Sequence, residues 1–580
     1  MIATAARYPS RIRPPHAIFT PMLTRLGPPL AILLLTGPIL AGLLGTFLPA
    51  FGYLPALGGT QISFDAFRAL AAQPGIMSSA RMSLVTGLVS AGVSLLIVMG
   101  FIAAWAGTRA FARMQRLISP LLSVPHAAAA FGLAFLIAPS GMVARIVSPG
   151  LTGWQTPPDL LIVNDPMGIS LIAGLVIKEI PFLLLIALAA LPQTRLPETR
   201  ALAASLGYGR IAGFLFGVWP SVYRQIRLGI FAVIAFATSV VDVAAILGPT
   251  NPAPLAVRLV QWMSDPDLSM RFLASAGAVL QLAVTAAALL IWIGVERAGA
   301  MARDLLCQTG RRFRRDAVVR QAALLLMATA AALVFAGLAT LGLWSVSGLW
   351  QFPDALPKAL SLRTWMNVAP RIAAPLATTL VVALFATAIA VALAILCLAR
   401  ETETGQSGGQ RALAILYLPL LVPQASFLFG LQLLFLLTGA VASLPALVFA
   451  HLVFVMPYVF LSLSDPWRAY DRRYDAVAAG LGKSRWATLT RIRLPMLLRA
   501  VLVAAAIGFA TSIGQYLPTV LVGAGRLPTI TTEAVALASG GNRRVIGVYA
   551  FLQMLLPIVG FLIAMAVPAL VFRRFRALRV

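Results

Sequence analysis

One stretch of the chain, Gly480-Leu-Gly482-Lys483-Ser484, has the residue types that end a phosphate-binding loop. In such a loop backbone N–H groups hold the phosphates and the lysine reaches the outermost ones, but the motif also needs a glycine five residues before Gly482 and a preceding strand. Val477 occupies that glycine position, and no strand pattern precedes it. The chain is therefore not expected to bind or hydrolyse ATP itself, and no catalytic residue is predicted.

Lys178 and Glu179 lie in the middle of an apolar segment, where an ionised side chain costs about 2.5–3.5 kcal/mol at the centre of a membrane helix. Neighbouring helical residues point about 100° apart, so the two do not pair with each other. Pro181 removes a helix hydrogen bond beside them. Two interpretations stay open: these residues contact a solute or gate, or they join an interhelical ion pair, in which Asp242 could neutralise Lys178.

Further polar residues occupy matched positions in the two halves of the chain. Asp242 and Gln515 each follow a Phe-Ala-Thr-Ser sequence at the same spacing, and His126 and Gln424 each follow a proline directly. We predict that Asp242 and Gln515 border a central translocation path, with a structural hydrogen bond as the alternative. His126 and Gln424 either line that path or hydrogen-bond between helices.

Metal chemistry is not expected. The three histidines are scattered, and they form no set with metal-ligand spacing. Cys307 lies in a charged segment and Cys397 in an apolar one, which does not suggest a disulfide or a metal site. No cofactor is predicted for this chain.

The elements that position these residues are predicted to be membrane helices. The chain is 60% hydrophobic and 11% charged, with a mean hydropathy of +0.91, and its continuous apolar runs suit helices rather than an alternating barrel pattern. The predicted fold class is an all-α polytopic membrane protein with about twelve transmembrane helices in two parallel six-helix repeats. The predicted spans are 27–48, 82–106, 117–139, 167–191, 226–248, 272–295, 321–344, 371–399, 411–438, 441–464, 501–524 and 546–571.

The formal net charge of +27 is interpreted as a consequence of topology rather than a sign of a nucleic-acid partner. With the N-terminus in the cytoplasm, most lysine and arginine residues fall in cytoplasmic segments, which is the positive-inside pattern. They would contact anionic membrane lipid there. Both termini are predicted to be cytoplasmic, and the apolar run 26–48 is interpreted as a retained first span, with a cleaved signal as the alternative.

Two loops, about 192–225 and about 465–500, repeat one pattern 275 residues apart (482 − 207). Each has an alanine-rich helical segment, a glycine able to end it with positive φ, and a proline 13 residues later that suits the first turn of the next helix. Such a loop between membrane spans is predicted to be a docking surface for a cytoplasmic protein. The predicted docking residues are Ala201, Ala203, Ala204, Gly207 and Pro220 in the first loop, and Ala476, Ala478, Ala479, Gly482, Leu494 and Pro495 in the second.

The duplication divides the chain into a first repeat, 1–295, a charged cytoplasmic linker, 296–320, and a second repeat, 321–580. Six spans in each half is an even number, so both halves enter the membrane from the same side and the repeats are parallel rather than inverted. One external loop, about 140–167, has almost no counterpart in the second half. It either contacts an external partner or forms a lid without a specific role.

At the two loops the chain resembles the permease subunits of binding-protein-dependent ABC importers, whose EAA loop runs Glu-Ala-Ala, then Gly, then a hydrophobic residue and Leu-Pro. The second copy ends Leu-Pro and matches closely, whereas the first ends Trp-Pro. Both depart at the acidic position, where Ala201 and Ala476 stand; Glu198 and Asp475 lie nearby and could substitute. The fused double form is similar to ferric-iron and thiamine permeases and to the YnjC-like group.

The resemblance implies the transmembrane fold of a type I ABC importer in the bacterial cytoplasmic (inner) membrane. It implies two cytoplasmic ATPase subunits, which use ATP and Mg and receive one loop each as a coupling helix. It also implies a solute-binding protein on the periplasmic or extracellular face. The solute is left open, because iron, thiamine, a polyamine or an oxyanion would all fit.

The alternative function is an ion-coupled secondary transporter with twelve spans, supported by the two parallel halves and the buried charged residues. The segment 107–114 lacks the Gly…Asp-Arg-x-Gly pattern of the major facilitator type, and such a carrier has no need of a duplicated loop between its fourth and fifth spans. A membrane-embedded enzyme is disfavoured because the sequence has no acidic dyad, metal set or nucleophile–base arrangement.

Overall fold

The computed structural model describes residues 20–406, 408–440 and 442–573. In these residues the architecture is helical, and extended backbone pairs only in two isolated bridges. The prediction that both termini are cytoplasmic rests partly on arginines outside the described residues, namely Arg7, Arg11, Arg13, Arg574, Arg576 and Arg579.

The described residues form 25 α-helices, which we number in chain order. Those of the first half are α1 (Thr20–Ala50), α2 (Asp65–Ala71), α3 (Ile76–Trp105), α4 (Arg109–Ile118), α5 (His126–Ile137), α6 (Met142–Val147), α7 (Ile169–Ala190), α8 (Leu196–Ser205), α9 (Arg210–Gly213), α10 (Trp219–Ser239), α11 (Asp242–Leu247), α12 (Leu255–Met263) and α13 (Met270–Gln308). Those of the second half are α14 (Ala317–Ser345), α15 (Arg363–Thr404), α16 (Gly409–Leu421), α17 (Gln424–Leu437), α18 (Leu444–Arg468), α19 (Arg473–Gly480), α20 (Arg485–Thr488), α21 (Leu494–Met496), α22 (Leu498–Ile513), α23 (Leu517–Gly523), α24 (Ile530–Ala536) and α25 (Arg543–Val571).

Nine helices of the described residues are long and apolar enough to cross a membrane, or up to eleven if two bent pairs each count as one span. This confirms the all-α polytopic class. The predicted span 226–248 is not among them, because the structure divides it. Its first part, α10, begins among the arginines of the first loop, and its second part, α11, is only 6 residues long.

Matched breaks interrupt one span in each half. The helix α10 ends at Ser239 and α11 begins at Asp242, whereas α22 ends at Ile513 and α23 begins at Leu517. Both breaks follow the repeated Phe-Ala-Thr-Ser sequence, so this repeated sequence coincides with a repeated local structure. Each break leaves backbone groups outside a helix within a buried part of the bundle.

The first helix of each half packs against the opposite half. The N-terminal helix α1 lies mainly against α17 and α15, and α14 lies mainly against α5, α25 and α3. Neither half is therefore a separate packing unit, and the boundaries 1–295, 296–320 and 321–580 stay a prediction about duplication in the sequence. The helix α13 also continues past position 295 to Gln308, so the linker begins as helix.

Glycines make these two crossings possible. A Cβ atom on Gly132 of α5 would stand 2.9 Å from the backbone of Gly337 of α14, and one on Gly430 of α17 would overlap the carbonyl oxygen of Gly42 of α1. Helix backbones approach this closely only where side chains are absent, and in a membrane such packing holds helices together. The same device thus joins the halves at both crossings.

Both loops lie at one end of the bundle, which we call the loop face. At this end Trp105 Nε1, from the end of α3, donates to the carbonyl of Arg320 near the start of α14 (2.9 Å). Thr24 Oγ1, near the start of α1, donates to Glu403 at the end of α15 (3.0 Å). Since α14 leaves this end and α15 returns to it, the ends of α3 and α15 lie on the same side. The two loops described next attach to those helix ends.

Candidate functional site

The two loops have the same secondary structure at the same spacing. In the first loop α8 is followed by the short helix α9 and a π-helical turn, Phe214–Val218; in the second α19 is followed by α20 and a π-helical turn, Leu489–Arg493. The short helices and the π turns begin and end 275 residues apart in each case. The repeat identified in the sequence is therefore a repeat of backbone structure.

Each elbow is formed by the glycine that the sequence singles out. Gly207 has φ +80° and Gly482 has φ +71°, the left-handed region that glycine adopts without strain. The N–H groups of the three residues after each helix return to its last carbonyls, for example Tyr208 N to Ala203 O (3.0 Å) and Lys483 N to Ala478 O (3.0 Å). This is the helix-ending arrangement in which glycine is favoured, and it turns each loop back toward the membrane helices.

The predicted alanines divide into two faces of each loop helix. Ala203 and Ala478 face inward, half-buried and buried respectively. The outer face exposes the alanines at the other predicted positions, Ala201, Ala204, Ala476 and Ala479. Pro220, Leu494 and Pro495 are half-buried where the loops rejoin the bundle.

Large apolar side chains are exposed on the outer face at matched positions of both loops. Leu202 and Leu206 in the first loop are 62% and 53% exposed, and Val477 and Leu481 in the second are 63% and 72% exposed. Clustered exposed apolar residues mark interaction surfaces more often than isolated ones do. The outer face of each loop is therefore the part of the site suited to bind another protein.

The first loop is held to the bundle by two arginines that sequence reasoning passed over. Arg200 donates to the carbonyls of Ala106 (2.6 Å) and Ala103 (3.0 Å) at the end of α3, and Arg210 also donates to Ala106 (2.9 Å). Burial, with a contribution from nearby Arg210, lowers the pKa of Arg200 to about 10. The arginine stays protonated at neutral pH and satisfies the last carbonyls of α3, which have no partner within the helix.

The second loop is held differently. Arg493, 6% exposed, forms an ion pair with Asp475, donates to Thr402 Oγ1 at the end of α15 (3.1 Å), and lies over the rings of Trp467 and Tyr470. Burial and the neighbouring Asp475 raise the pKa of Tyr470 to about 12, and the phenol donates to Asp475 (3.2 Å). Asp475 is therefore engaged within its own loop.

The two loops thus differ at the position closest to the missing acidic residue. Asp475 of the second loop corresponds in the 275-residue spacing to Arg200 of the first, so the pair of charges is not repeated. Glu198, the other acidic residue considered in its place, is exposed in the first turn of α8. The sequence shows many arginines in both loops. Only their contacts in the structure distinguish Arg200 and Arg493 as the residues that hold the loops to the bundle.

Within the bundle, Lys178 and Glu179 point to different neighbours. Lys178 Nζ donates to the carbonyls of Leu121 (3.0 Å) and Leu122 (3.3 Å), in the 3₁₀ turn Ser119–Ser123 that precedes α5. Glu179 accepts from two hydroxyls of α3, Ser90 (3.2 Å) and Ser94 (2.9 Å). Among the ion pairs of the described residues, none includes Lys178, Glu179 or Asp242. Hydrogen bonds rather than an ion pair therefore satisfy Lys178 and Glu179.

The remaining predicted path residues lie at helix starts and breaks. His126 and Gln424 are the first residues of α5 and α17, each after a proline. Asp242 begins α11 and is 7% exposed, and Gln515, 8% exposed, lies in the break before α23.

Several of these residues meet at the contact between the two halves. The ring of His126 packs 4.7 Å from that of Phe236, and the helix α11, which begins with Asp242, packs against α5, which begins with His126. A Cβ on Gly514 would stand 3.9 Å from Pro125. The structure therefore brings His126, Lys178 and Asp242 together with the second-half break, and it directs Glu179 away toward α3.

The third histidine, His451, was not predicted to have a role. Its two ring nitrogens lie 2.9 Å from Ser512 Oγ and 3.0 Å from Thr519 Oγ1, on either side of the break between α22 and α23. His451 therefore links the two helices on either side of the break. In the part of the chain that the structure describes, no three His, Cys, Asp or Glu residues gather as a metal site would require.

A bundle of apolar helices with two halves, matched broken spans and a repeated loop on one face defines a polytopic membrane protein. The chain is 33% identical over 503 residues to the inner membrane ABC transporter permease protein YnjC of Escherichia coli (strain K12), a match that covers 86% of this chain and 90% of that protein. No family model matches the chain. On this similarity the chain belongs to the ABC transporter permeases, in the YnjC-like group, which confirms the predicted family.

Proposed function

We propose that the chain is the transmembrane subunit of an ABC importer in the bacterial inner membrane. Its two loops would each dock on one of two cytoplasmic ATPase subunits, which bind and hydrolyse ATP with Mg. The observation on which this rests is the pair of loops with the same backbone structure, exposing Leu202 and Leu206 or Val477 and Leu481 on one face of the bundle. The loop face would then be cytoplasmic, with both termini on that side.

The proposed mechanism is alternating access. Binding of ATP brings the two ATPase subunits together, and the loops seated in them move with them. Because Arg200 and Arg493 join the loops to the ends of α3 and α15, motion of a loop displaces a membrane helix directly. The breaks beside Asp242 and Gln515 provide places where the helices around the path can change direction.

The opposite face of the bundle suits an external partner. The loop 140–167 exposes apolar residues there, with Leu151, Leu161 and Met167 at 86%, 71% and 76% exposure. It is anchored rather than loose, because Ser140 accepts hydrogen bonds from Arg145 and Arg543. We assign this loop to the docking of a solute-binding protein that delivers a small solute.

The source of energy separates this proposal from an ion-coupled transporter. Tagged chain purified gently from its native membrane is expected to bring with it a subunit that hydrolyses ATP, and uptake into right-side-out vesicles is expected to require ATP inside them, on the loop face. Uptake that needs no ATP and follows an imposed proton or sodium gradient would favour the secondary transporter instead.

Asp242→Asn is expected to reduce uptake about tenfold or more without unfolding the chain. The substitution keeps the shape of a buried side chain at the contact between the halves but removes its carboxylate. An ionisable residue inside a membrane span is costly, and such residues usually have a function. Uptake and coupled ATP hydrolysis are measured in proteoliposomes, with elution from a sizing column as the check on folding. Asp304→Asn, at an exposed position near the end of α13 and outside both loops, is the matched control; unchanged transport and ATP hydrolysis in Asp242→Asn would remove Asp242 from the path.

A further inference from the structure

Within the described residues, one segment covers the first loop and has no equivalent at the second. The non-helical segment 311–316, between α13 and α14, lies across the elbow of the first loop: Gly209 N donates to Arg312 O (2.8 Å), and Arg314 Nε donates to Gly207 O (3.1 Å). At the second elbow a Cβ on Gly482 would meet nothing within 4 Å. The two loops therefore have the same backbone structure but different surfaces.

Aromatic and cationic side chains extend the same contact. The guanidinium of Arg312 lies 4.4 Å from the ring centre of Tyr208, and the ring of Phe313 lies 6.5 Å from that of Phe216. A cation over an aromatic face is attracted to the ring, so this contact helps to hold the segment on the loop. Phe313 nevertheless stays 43% exposed, so the segment adds an apolar side chain to the outer surface as well as filling the elbow.

Helix capping shows that the loop is built around this segment. In the second loop Ser484 begins α20 and its hydroxyl accepts from Ala487 N (3.2 Å), as a capping serine does. The corresponding residue of the first loop is Gly209 (484 − 209 = 275), which has no side chain to cap α9. The carboxylate of Asp316 supplies the missing acceptor and receives Ile211 N (3.0 Å).

The glycine at this position also makes room for the segment. A Cβ atom on Gly209 would overlap the carbonyl oxygen of Phe313. A serine like the one in the second loop is therefore incompatible with the covering segment, and a glycine without the segment would leave α9 uncapped. Asp316 therefore compensates for the absence of a capping serine at position 209.

We propose that residues 311–316 are a fixed part of the first docking surface, so that the chain offers its ATPase partners one composite surface and one bare loop. This inference rests on the proposed function for the identity of the partner. At the composite surface the ATPase subunit would meet Phe313 and the exposed cations Arg311, Arg314 and Arg315 beside the loop leucines. The partner region there would carry acidic groups.

Seating of the segment can be tested on the purified chain alone. Gly209→Ser displaces the segment but supplies its own cap, so α9 is expected to persist while trypsin cleavage at the arginines of 311–315 becomes about five- to thirty-fold faster, the factor that corresponds to losing one or two kcal/mol. Asp316→Ala is expected to do the same and Asp316→Asn, which keeps an acceptor oxygen, less. Ser484→Gly is the matched control and should leave cleavage of this segment unchanged. Cleavage of Gly209→Ser within twofold of the native rate would overturn the proposal.

Contact with the partner is tested in the full complex in native membranes. A photoreactive benzoylphenylalanine is placed at position 313, 206 or 481, and crosslinked products are identified by mass spectrometry. Crosslinks from all three positions to a subunit with a nucleotide-binding motif are the expected result. Crosslinks from 206 and 481 but not 313 would overturn the composite surface and leave the proposed function standing; no crosslink from any position would overturn the proposed function and the inference with it.

Discussion

Replacing Leu481 with Asp is expected to weaken binding of the ATPase subunit at the second loop about thirtyfold or more. Leu481 is 72% exposed at the centre of the bare loop, and truncating or charging an apolar anchor of an interface typically costs at least about 2 kcal/mol, which is a factor of about thirty. Because both ATPase subunits act together, solute uptake should fall by a similar factor. Co-purification of the ATPase subunit and uptake in vesicles are the two measurements.

The control for this substitution is Leu305→Asp. Leu305 is 60% exposed near the end of α13 and lies outside both loops, so its replacement tests the general effect of an added charge. Leu206→Asp is expected to weaken binding less than Leu481→Asp, because Phe313 contributes to the surface of the first loop. Equal co-purification from Leu481→Asp and native chain would contradict the docking role of the second loop.

Gly430→Ala is expected to destabilise the chain by about 1–3 kcal/mol or more. The added methyl group would overlap the carbonyl oxygen of Gly42, and overpacked sites of this kind relax only by moving backbone or side chains. Here the displaced element is α1, which joins the first half of the chain to the second. We expect a lower midpoint of thermal unfolding in detergent and a smaller fraction of protein in the folded peak of a sizing column.

The same change at the other crossing and at an open position calibrates this result. Gly337→Ala places a Cβ 2.8 Å from the backbone of Gly132 and should also destabilise the chain. Gly294→Ala lies in the helix α13 with nothing within 4 Å and should leave stability unchanged or slightly raise it, since alanine favours helix. Equal unfolding midpoints for Gly430→Ala and Gly294→Ala would show that the crossing does not hold the halves together.

The elbows were predictable because they depend on local residue types, whereas the breaks were not predicted. A glycine ends a helix with positive φ wherever the next residues allow it, so Gly207 and Gly482 mark both elbows without knowledge of neighbours. The predicted span 226–248 was placed in one piece because its apolar residues continue across positions 240–241, where the structure interrupts the helix. Hydropathy reports how apolar a segment is and does not show where its backbone turns.

The partners of charged residues were not predictable in the same way. Lys178 uses two carbonyls that become available at the start of α5, and a backbone acceptor leaves no mark on the sequence. Arg200 and Arg493 hold their loops through contacts with different helices, although the loops that contain them are repeats. Each of these contacts depends on which helix end lies beside the loop.

The sequence by itself determined the membrane class, the duplicated loops and the absence of a nucleotide-binding motif, because composition and spacing along the chain are sufficient for each. Only the tertiary structure showed that α1 and α14 each pack against the opposite half of the chain. It also showed that residues 311–316 cover the first loop and not the second. The reason is physical: apolar helices find equally apolar surroundings in lipid and in one another. Their neighbours are therefore set by close backbone approach at residues such as Gly132 and Gly430, and by hydrogen bonds from residues such as Asp316, which act only between segments distant in the chain.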